Sequence, residues 1–307
     1  PNVNQPYSEY TVKVEAEGYE PVEVTGSELL SGEQSVQQVD LGPAEGAAFA
    51  DVTIPDHTLF GEYPAKIPES EIKPTWESGE IVLSRVVIPE YVVVHDGAPT
   101  DSTARDYYVR YRDYIKNVAC SEIYATWPDA AIRANILAIM SFTLNRVYTE
   151  WYRNKGYDFT ITSSTAYDHK WIYGRNIFDS ISLVVDEIFA DYLSRPNVKQ
   201  PILTQYCDGK QVQCRNRGWM TQWGSKTLGD QGYSAIEILR AFYGNDMYIN
   251  VAEAVSGIPA SWPGYDLDIG ATGSKVSQIQ EQLNTIAGAY PAVPTVTVDG
   301  IYGDETK

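Results

Sequence analysis

Histidine and cysteine are scarce in this chain, with three of each among 307 residues. His57, His95 and His169 stand far apart, and none belongs to a tight ligand pair such as H-x-x-x-H. Three cysteines are too few for a disulfide scaffold. Cys207 and Cys214 are close enough in sequence to pair, but their spacing is wider than a zinc knuckle. No G-x-S-x-G elbow is present, and no histidine marks itself as a partner for Cys120, which reads as a packed core thiol. Basic side chains are also in short supply: 23 Lys and Arg face 41 Asp and Glu, for a net charge of -18. That balance provides no basic stripe for nucleic acid and disfavours an anionic membrane surface. No apolar run is long enough to span a bilayer. We therefore expect no metal, no cofactor, no nucleic acid and no membrane insertion.

The acidity is uneven. The first 90 residues hold 17 acidic side chains against 4 basic ones. Within them, Tyr10, Val12 and Val14 alternate with polar residues, as do Val22 and Val24, and Val36 and Val39 mark a third strand-like stretch. Short strands separated by turns suggest part of a β-sandwich over residues 1–42. Residues 43–80 are broken by Pro55, Pro64, Pro68 and Pro74, which oppose a regular element. They read as a linker or as a strap lying on another domain. Two apolar runs, Ile81-Val82-Leu83 and Tyr91-Val92-Val93-Val94, suggest buried strands.

Helical periodicity then takes over. Helices are expected from Asp113 to Ile123, from Asp129 to about Lys155, from Ile177 to Leu193 and from Ser234 to Tyr243. Residues 201–214 suggest a hairpin about Asp208-Gly209. Gly257, Pro259 and Pro263 mark a second linker at 253–265. Residues 267–287 form an amphipathic helix, and 266–307 read as a small, incomplete helical module. The fold class expected is α+β.

One carboxylate stands out chemically. Glu122 closes an apolar helix just before Trp127-Pro128. Apolar surroundings raise a carboxyl pKa, which suits a general acid for glycoside cleavage. Aromatic residues are abundant, with 7 Trp and 23 Tyr. Most should pack the core, while Trp171, Trp219 and Trp223 stand in loop-like segments beside polar residues and suit stacking on sugar rings.

The string Tyr114-Ile115-Lys116-Asn117-Val118-Ala119-Cys120-Ser121-Glu122-Ile123-Tyr124 resembles a segment of the stage II sporulation protein D family. So do Gly218-Trp219-Met220-Thr221-Gln222-Trp223-Gly224, Gln231-Gly232-Tyr233 and Glu237-Ile238-Leu239. Residues 81–252 are closer still to the clostridial spore cortex-lytic enzymes, through Asn145 to Tyr152 and Tyr173 to Asp179. Gly270, Gly273, Val276, Gln280, Leu283, Asp299 to Gly303 and Thr306 are similar to a peptidoglycan-binding domain.

The resemblance implies a lytic transglycosylase that cuts the glycan of spore cortex peptidoglycan at the cell wall, with Glu122 as the catalytic acid. Tyr167, Asp168, Trp219, Gln222 and Trp223 become the implied substrate-binding residues. The family's zinc ligands have no counterpart here, since Ser163, Ser164 and Tyr167 occupy that segment. The resemblance also implies a zymogen, with a germination protease cutting near residues 75–85. An amidase acting on the same polymer, or a wall-binding protein without activity, is the alternative.

Overall fold

The computed structural model describes residues 5–43, 51–69, 83–255, 268–289 and 293–307. Pro1–Glu253 pack as one compact unit and Ala254–Lys307 as a second. The sequence boundaries expected at residues 42 and 80 therefore fall inside the first unit. Ile81 and Val82, most of the 75–85 processing stretch and residues 256–265 of the second linker lie outside the described residues. No described helix is long and apolar enough to cross a membrane.

The fold is α+β. Its first strands, β1 (Tyr7–Val14) and β2 (Val22–Leu30), pair antiparallel with Tyr7 opposite Leu30 and Val14 opposite Val22. The register slips between Tyr10 and Val12, where β2 carries one extra residue. Gly26 sits at this bulge with φ of 84°, and a Cβ there would collide with the Ile54 carbonyl. The slip explains why Tyr10 is exposed, although it shares the alternation of Val12 and Val14. β3 (Ser35–Val36) leaves this sheet, and β4 (Val52–Thr53) joins β2 in parallel. The described residues here form one three-stranded sheet. Its apolar face packs Val24 and Ile54 against Ile172.

Residues 54–69 form a strap on the body that follows. Prolines keep it irregular, but it is anchored by buried side chains: His57, Leu59, Tyr63 and Lys66. Beyond it come β5 (Val87–Ile88), β6 (Tyr91–His95) and β7 (Asp106–Arg110). β6 pairs antiparallel with β7 and parallel with β8 (Ile161–Thr162).

Helix α1 (Tyr111–Glu122) follows β7 without a break and buries Tyr114, Ile115, Val118 and Ala119. Helix α2 (Asp129–Tyr148) is the central element, packed by α1, by four further elements of the core and by β5. Ile136, Leu137, Ala138, Ile139 and Met140 are consecutive and all buried, so no face of it is left for solvent. It stops seven residues before the expected Lys155. Glu150 takes φ of 47°, and a 3-10 turn at Arg153–Lys155 ends on Gly156 in the left-handed region. This break turns Tyr152 into a cluster with Val93 and Phe159.

The third expected helix is shorter at both ends for a related reason. Ile177–Phe178 become strand β9 against β3, Asp179–Ile188 form α3, and Asp191–Ser194 form β10 against β13 (Tyr248–Val251). Residues 201–214 are not a hairpin. β11 (Tyr206–Cys207) pairs in parallel with β12 (Met220–Thr221), and a Cys207–Cys214 disulfide closes the loop between them. The Asp208 carboxylate accepts the N–H groups of Lys210, Gln211 and Val212, and Gly209 takes φ of 85°. Trp223, expected in a loop, lies in helix α4 (Gln222–Asp230). α5 (Ala235–Tyr243) opens on a capping box of Ser234 and Glu237.

The second unit is built on α6 (Ser274–Ala289). Buried Gln280 donates to Asp299, to the Ile301 carbonyl and to Thr306, and accepts from Gly300 N–H. One amide thus ties the helix to the turn at 299–303.

Candidate active site

Glu122 is the last residue of α1, where the helix dipole is negative and opposes an anion. Its side chain is 0% exposed. Three donors reach it from three different elements. Lys170 N–H donates to Oε1 at 2.6 Å. Tyr206 Oη, at the start of β11, donates to Oε2 at 2.6 Å. Gln222 Nε2, the first residue of α4, donates to Oε2 at 3.3 Å. Burial raises the carboxyl to about 6, while Tyr206, the Lys170 N–H, the Lys66 ammonium and Gln222 hold it from rising further. A carboxyl at that value is partly protonated near neutral pH, the state a general acid requires.

The rings around these donors are uncharged. Tyr206 stacks on His169 with ring centroids 5.8 Å apart. Tyr114 Oη lies 3.0 Å from His169 Nδ1. Burial, with the charges of Lys66 and Arg146 adding to it, drives the His169 pKa well below its usual value, so the ring is neutral. Three buried polar atoms in this neighbourhood have no partner among the described residues: Tyr63 Oη, His169 Nε2 and Gln222 Oε1. Buried polar atoms are ordinarily paired, so three unpaired ones here leave capacity for a ligand or water.

The strap lies against this arrangement. Thr58 Oγ1 donates to the Ser121 carbonyl at 2.9 Å, and His57 Nε2 is 3.4 Å from the Ile123 carbonyl, on either side of Glu122. Lys66 Nζ donates to the Asp168 carbonyl at 2.6 Å and sits over the rings of Phe142 and Tyr206. Glu69 takes both terminal nitrogens of the buried Arg146, at 2.8 and 2.9 Å.

Of the residues implied for substrate binding, Gln222 touches Glu122. Trp223 is next to it, with its ring 5.2 Å from Trp127 and Lys210 above it. Asp168 is fully buried and fully engaged. It accepts from Arg146 Nε, Tyr152 Oη and both the N–H and hydroxyl of Thr162, all at 2.7 to 2.9 Å. Its work is to fix the loop that carries His169 and Lys170, rather than to meet a ligand. Tyr167 packs on the Val93–Tyr152–Phe159 cluster, away from Glu122's donors. Trp219 is half-buried and makes no hydrogen bond or ring contact to Glu122's neighbours. Cys120 is a free, buried thiol that burial pushes up to about 11.

Tyr206, Tyr114, His169, Lys66 and the Lys170 N–H were not legible as site residues. A backbone donor has no sequence signal, and Lys66 lies about 56 residues before Glu122 in a stretch without periodicity. Among the described residues, no group of three or more His, Cys, Asp or Glu comes together as a metal site. No protein-family model matches the chain, and no curated protein matches it.

Proposed function

We propose that this chain is a glycan-cleaving enzyme in which Glu122 delivers and recovers one proton. More narrowly, we read it as a lytic transglycosylase of spore cortex peptidoglycan, made as a zymogen. The observation that carries the reading is the isolation of Glu122. It is a buried carboxyl at about 6, held by a phenol, a peptide N–H and an amide, and no second carboxylate shares its hydrogen bonds among the described residues.

Hydrolysis of a glycoside ordinarily needs two carboxyl groups, one to protonate the leaving oxygen and one to attack or to activate water. A single carboxyl suffices when the nucleophile lies within the substrate. Glu122 gives its proton to the oxygen leaving C1 of the muramic unit, and the C1–O bond breaks. The 6-hydroxyl of that same sugar then bonds to C1 and returns its proton to Glu122. The product carries a 1,6-anhydro end, and no water is consumed. Tyr206 and Lys170 N–H stabilise the carboxylate between the two transfers.

The strap supports the zymogen part of the reading. A polymer cannot reach a carboxyl that is 0% exposed; Thr58 and His57 of the strap reach the carbonyls on either side of it, and Tyr63 and Lys66 lie close enough to feel its charge. Cutting the chain at 75–85 would make the strap part of a separate fragment, and release of that fragment would uncover Glu122. The test uses chain cut at that stretch, wild type against Glu122→Gln, on cortex peptidoglycan. Anhydro-muropeptides are expected in the mass spectrum of the wild-type digest only. Free stem peptides without anhydro ends would point to an amidase, and equal release by the variant would remove Glu122 from the mechanism.

A further inference from the structure

Arg175 carries a wholly buried guanidinium on the segment that also serves Glu122. Within that segment Lys170 N–H holds the acid, and Asn117 of α1 holds both the N–H and the carbonyl of Ile172, at 2.9 and 2.7 Å. Arg175 Nε donates to the Asn176 carbonyl at 2.9 Å and Nη1 to Ser121 Oγ at 3.2 Å. These partners follow the strap in the chain. The third precedes it: Nη2 donates to Glu28 Oε2, on β2, at 3.3 Å.

Glu28 fills this position poorly. An arginine fork and a carboxylate usually make two short parallel bonds, and here there is one long one. Glu28 Oε1 is buried with no partner among the described residues. Neighbouring Asn176 is bound twice by the Glu28 backbone, so the side chain is placed there by the main chain.

Arg175 lines a cavity of about 290 Å³, from which its buried guanidinium is shut off in the intact chain. One wall is the apolar face of the N-terminal sheet. The other includes Val109, Asp113, Lys116, Asn117, Trp171 and Tyr173. Tyr107 stands 5.1 Å from Trp171 and 5.0 Å from Tyr173, and the Tyr173 ring is exposed. Aromatic faces next to a fixed cation are the composition of a site for an acidic sugar, whose ring stacks while its carboxylate meets the fork.

We propose that Arg175 recognises the carboxylate of the acidic sugar unit in the wall glycan, and that Glu28 occupies this position in the intact chain. The inference rests on the glycan-cutting reading and adds its specificity residue. The muramyl carboxylate is either the lactyl group itself or the end of a short peptide stem attached to it. Both present the same group to the guanidinium.

The test uses the chain with a specific protease site inserted between residues 74 and 80, cut after folding and diluted until the N-terminal fragment has dissociated. Three glycans are compared: native strands, strands with their carboxylates amidated, and strands stripped of stem peptides. Amidation is expected to raise the wild-type KM roughly tenfold or more with kcat little changed. Stripping turns each stem-bearing lactyl amide into a free carboxylate, so a KM as high as on amidated strands assigns the stem end, and a low KM shows that the lactyl carboxylate itself is recognised. Arg175→Gln should show one KM for native and amidated strands, equal to the wild-type value on amidated strands. Arg175→Lys should recover part of the difference. Because Arg175→Gln strands Glu28 in the interior, the Glu28→Gln/Arg175→Gln double variant is measured beside it. Equal wild-type KM on native and amidated glycan, or discrimination that survives in the double variant, would overturn the proposal. Should the wild type cleave none of the three, the parent reading fails. Equilibrium binding of native and amidated strands to Glu122→Gln chain, cut in the same way, then decides for Arg175 alone, and equal affinity overturns it.

Discussion

Glu122 is held in a state that the folded chain does not favour. Burial raises its carboxyl from 4.5 to about 6, so the folded form binds the proton more tightly than the unfolded form does. The sign follows directly: between pH 4.5 and 6 the folded state carries more protons, and stability falls as pH rises through that window. The loss is about 2 kcal/mol, which a fully buried group justifies as an order of magnitude. Melting curves of wild type and Glu122→Gln should therefore diverge across this window, with wild type losing ground as pH rises. A flat difference would mean that the carboxyl is not raised. The arrangement also has a chemical sense. Tyr206 and Lys170 N–H keep the carboxyl low enough to recover its charge after giving up a proton, and burial keeps it high enough to have one to give.

On the proposed reading, two elements govern access to that carboxyl and its alignment. The strap is seated by His57, whose ring stacks on Tyr124 with centroids 4.3 Å apart. Burial, then the nearby Arg175 charge, pushes His57 down to about 3. Released chain takes up a proton below pH 6.5 that the seated strap refuses. Seating therefore weakens as pH falls from 6.5, by about 1.4 kcal/mol per pH unit. Limited proteolysis of the strap should be faster at pH 5.5 than at pH 7.5, and His57→Gln should flatten that dependence.

The second element is the loop closed by Cys207 and Cys214. It ties β11, which carries Tyr206, to β12, which leads into Gln222. The Cys207→Ser/Cys214→Ser variant should lose about 2 kcal/mol of stability. It should also lose kcat more than KM, because two of Glu122's three donors are displaced. Unchanged kcat would separate the disulfide from catalysis.

Helices α1 and α5 were legible to within a residue or two, since each has one apolar face and a definite stop. The end of α2 was not, because Glu150 has no helix-breaking chemistry and yields only to the packing of Tyr152. Nor were β9, β10, β11 and β12, which are too short to show an alternation. Glu122 was legible from its apolar helix and from a resemblance, whereas its donors come from 48 to 100 residues away in the chain.

At the scale of the whole molecule the charge is lopsided. The first 90 residues hold 17 acidic and 4 basic side chains, and the remaining residues hold 24 and 19. Loss of the first segment therefore removes most of the net negative charge. On the proposed reading the ligand is a wall glycan with free carboxylates, itself an anion, so the chain freed of that segment should bind it more tightly than the uncut chain at low salt. The gap should narrow with ionic strength as screening shortens to roughly 8 Å at physiological salt. A gap indifferent to salt would assign the difference to steric cover alone.

The strap has one more consequence. It is not hinged on its covalent link: Glu69 grips the Arg146 fork, Lys66 reaches the Asp168 carbonyl, and His57 and Thr58 hold the two peptides flanking Glu122. A protease that cuts beyond residue 70 severs none of these. On the proposed reading, the immediate product is a nicked complex that is still silent. Activity then appears after a lag set by the off-rate of the fragment rather than by the protease. Dilution fixes the final yield, and excess fragment added back silences the enzyme again. Such a device is a timer as well as a lock.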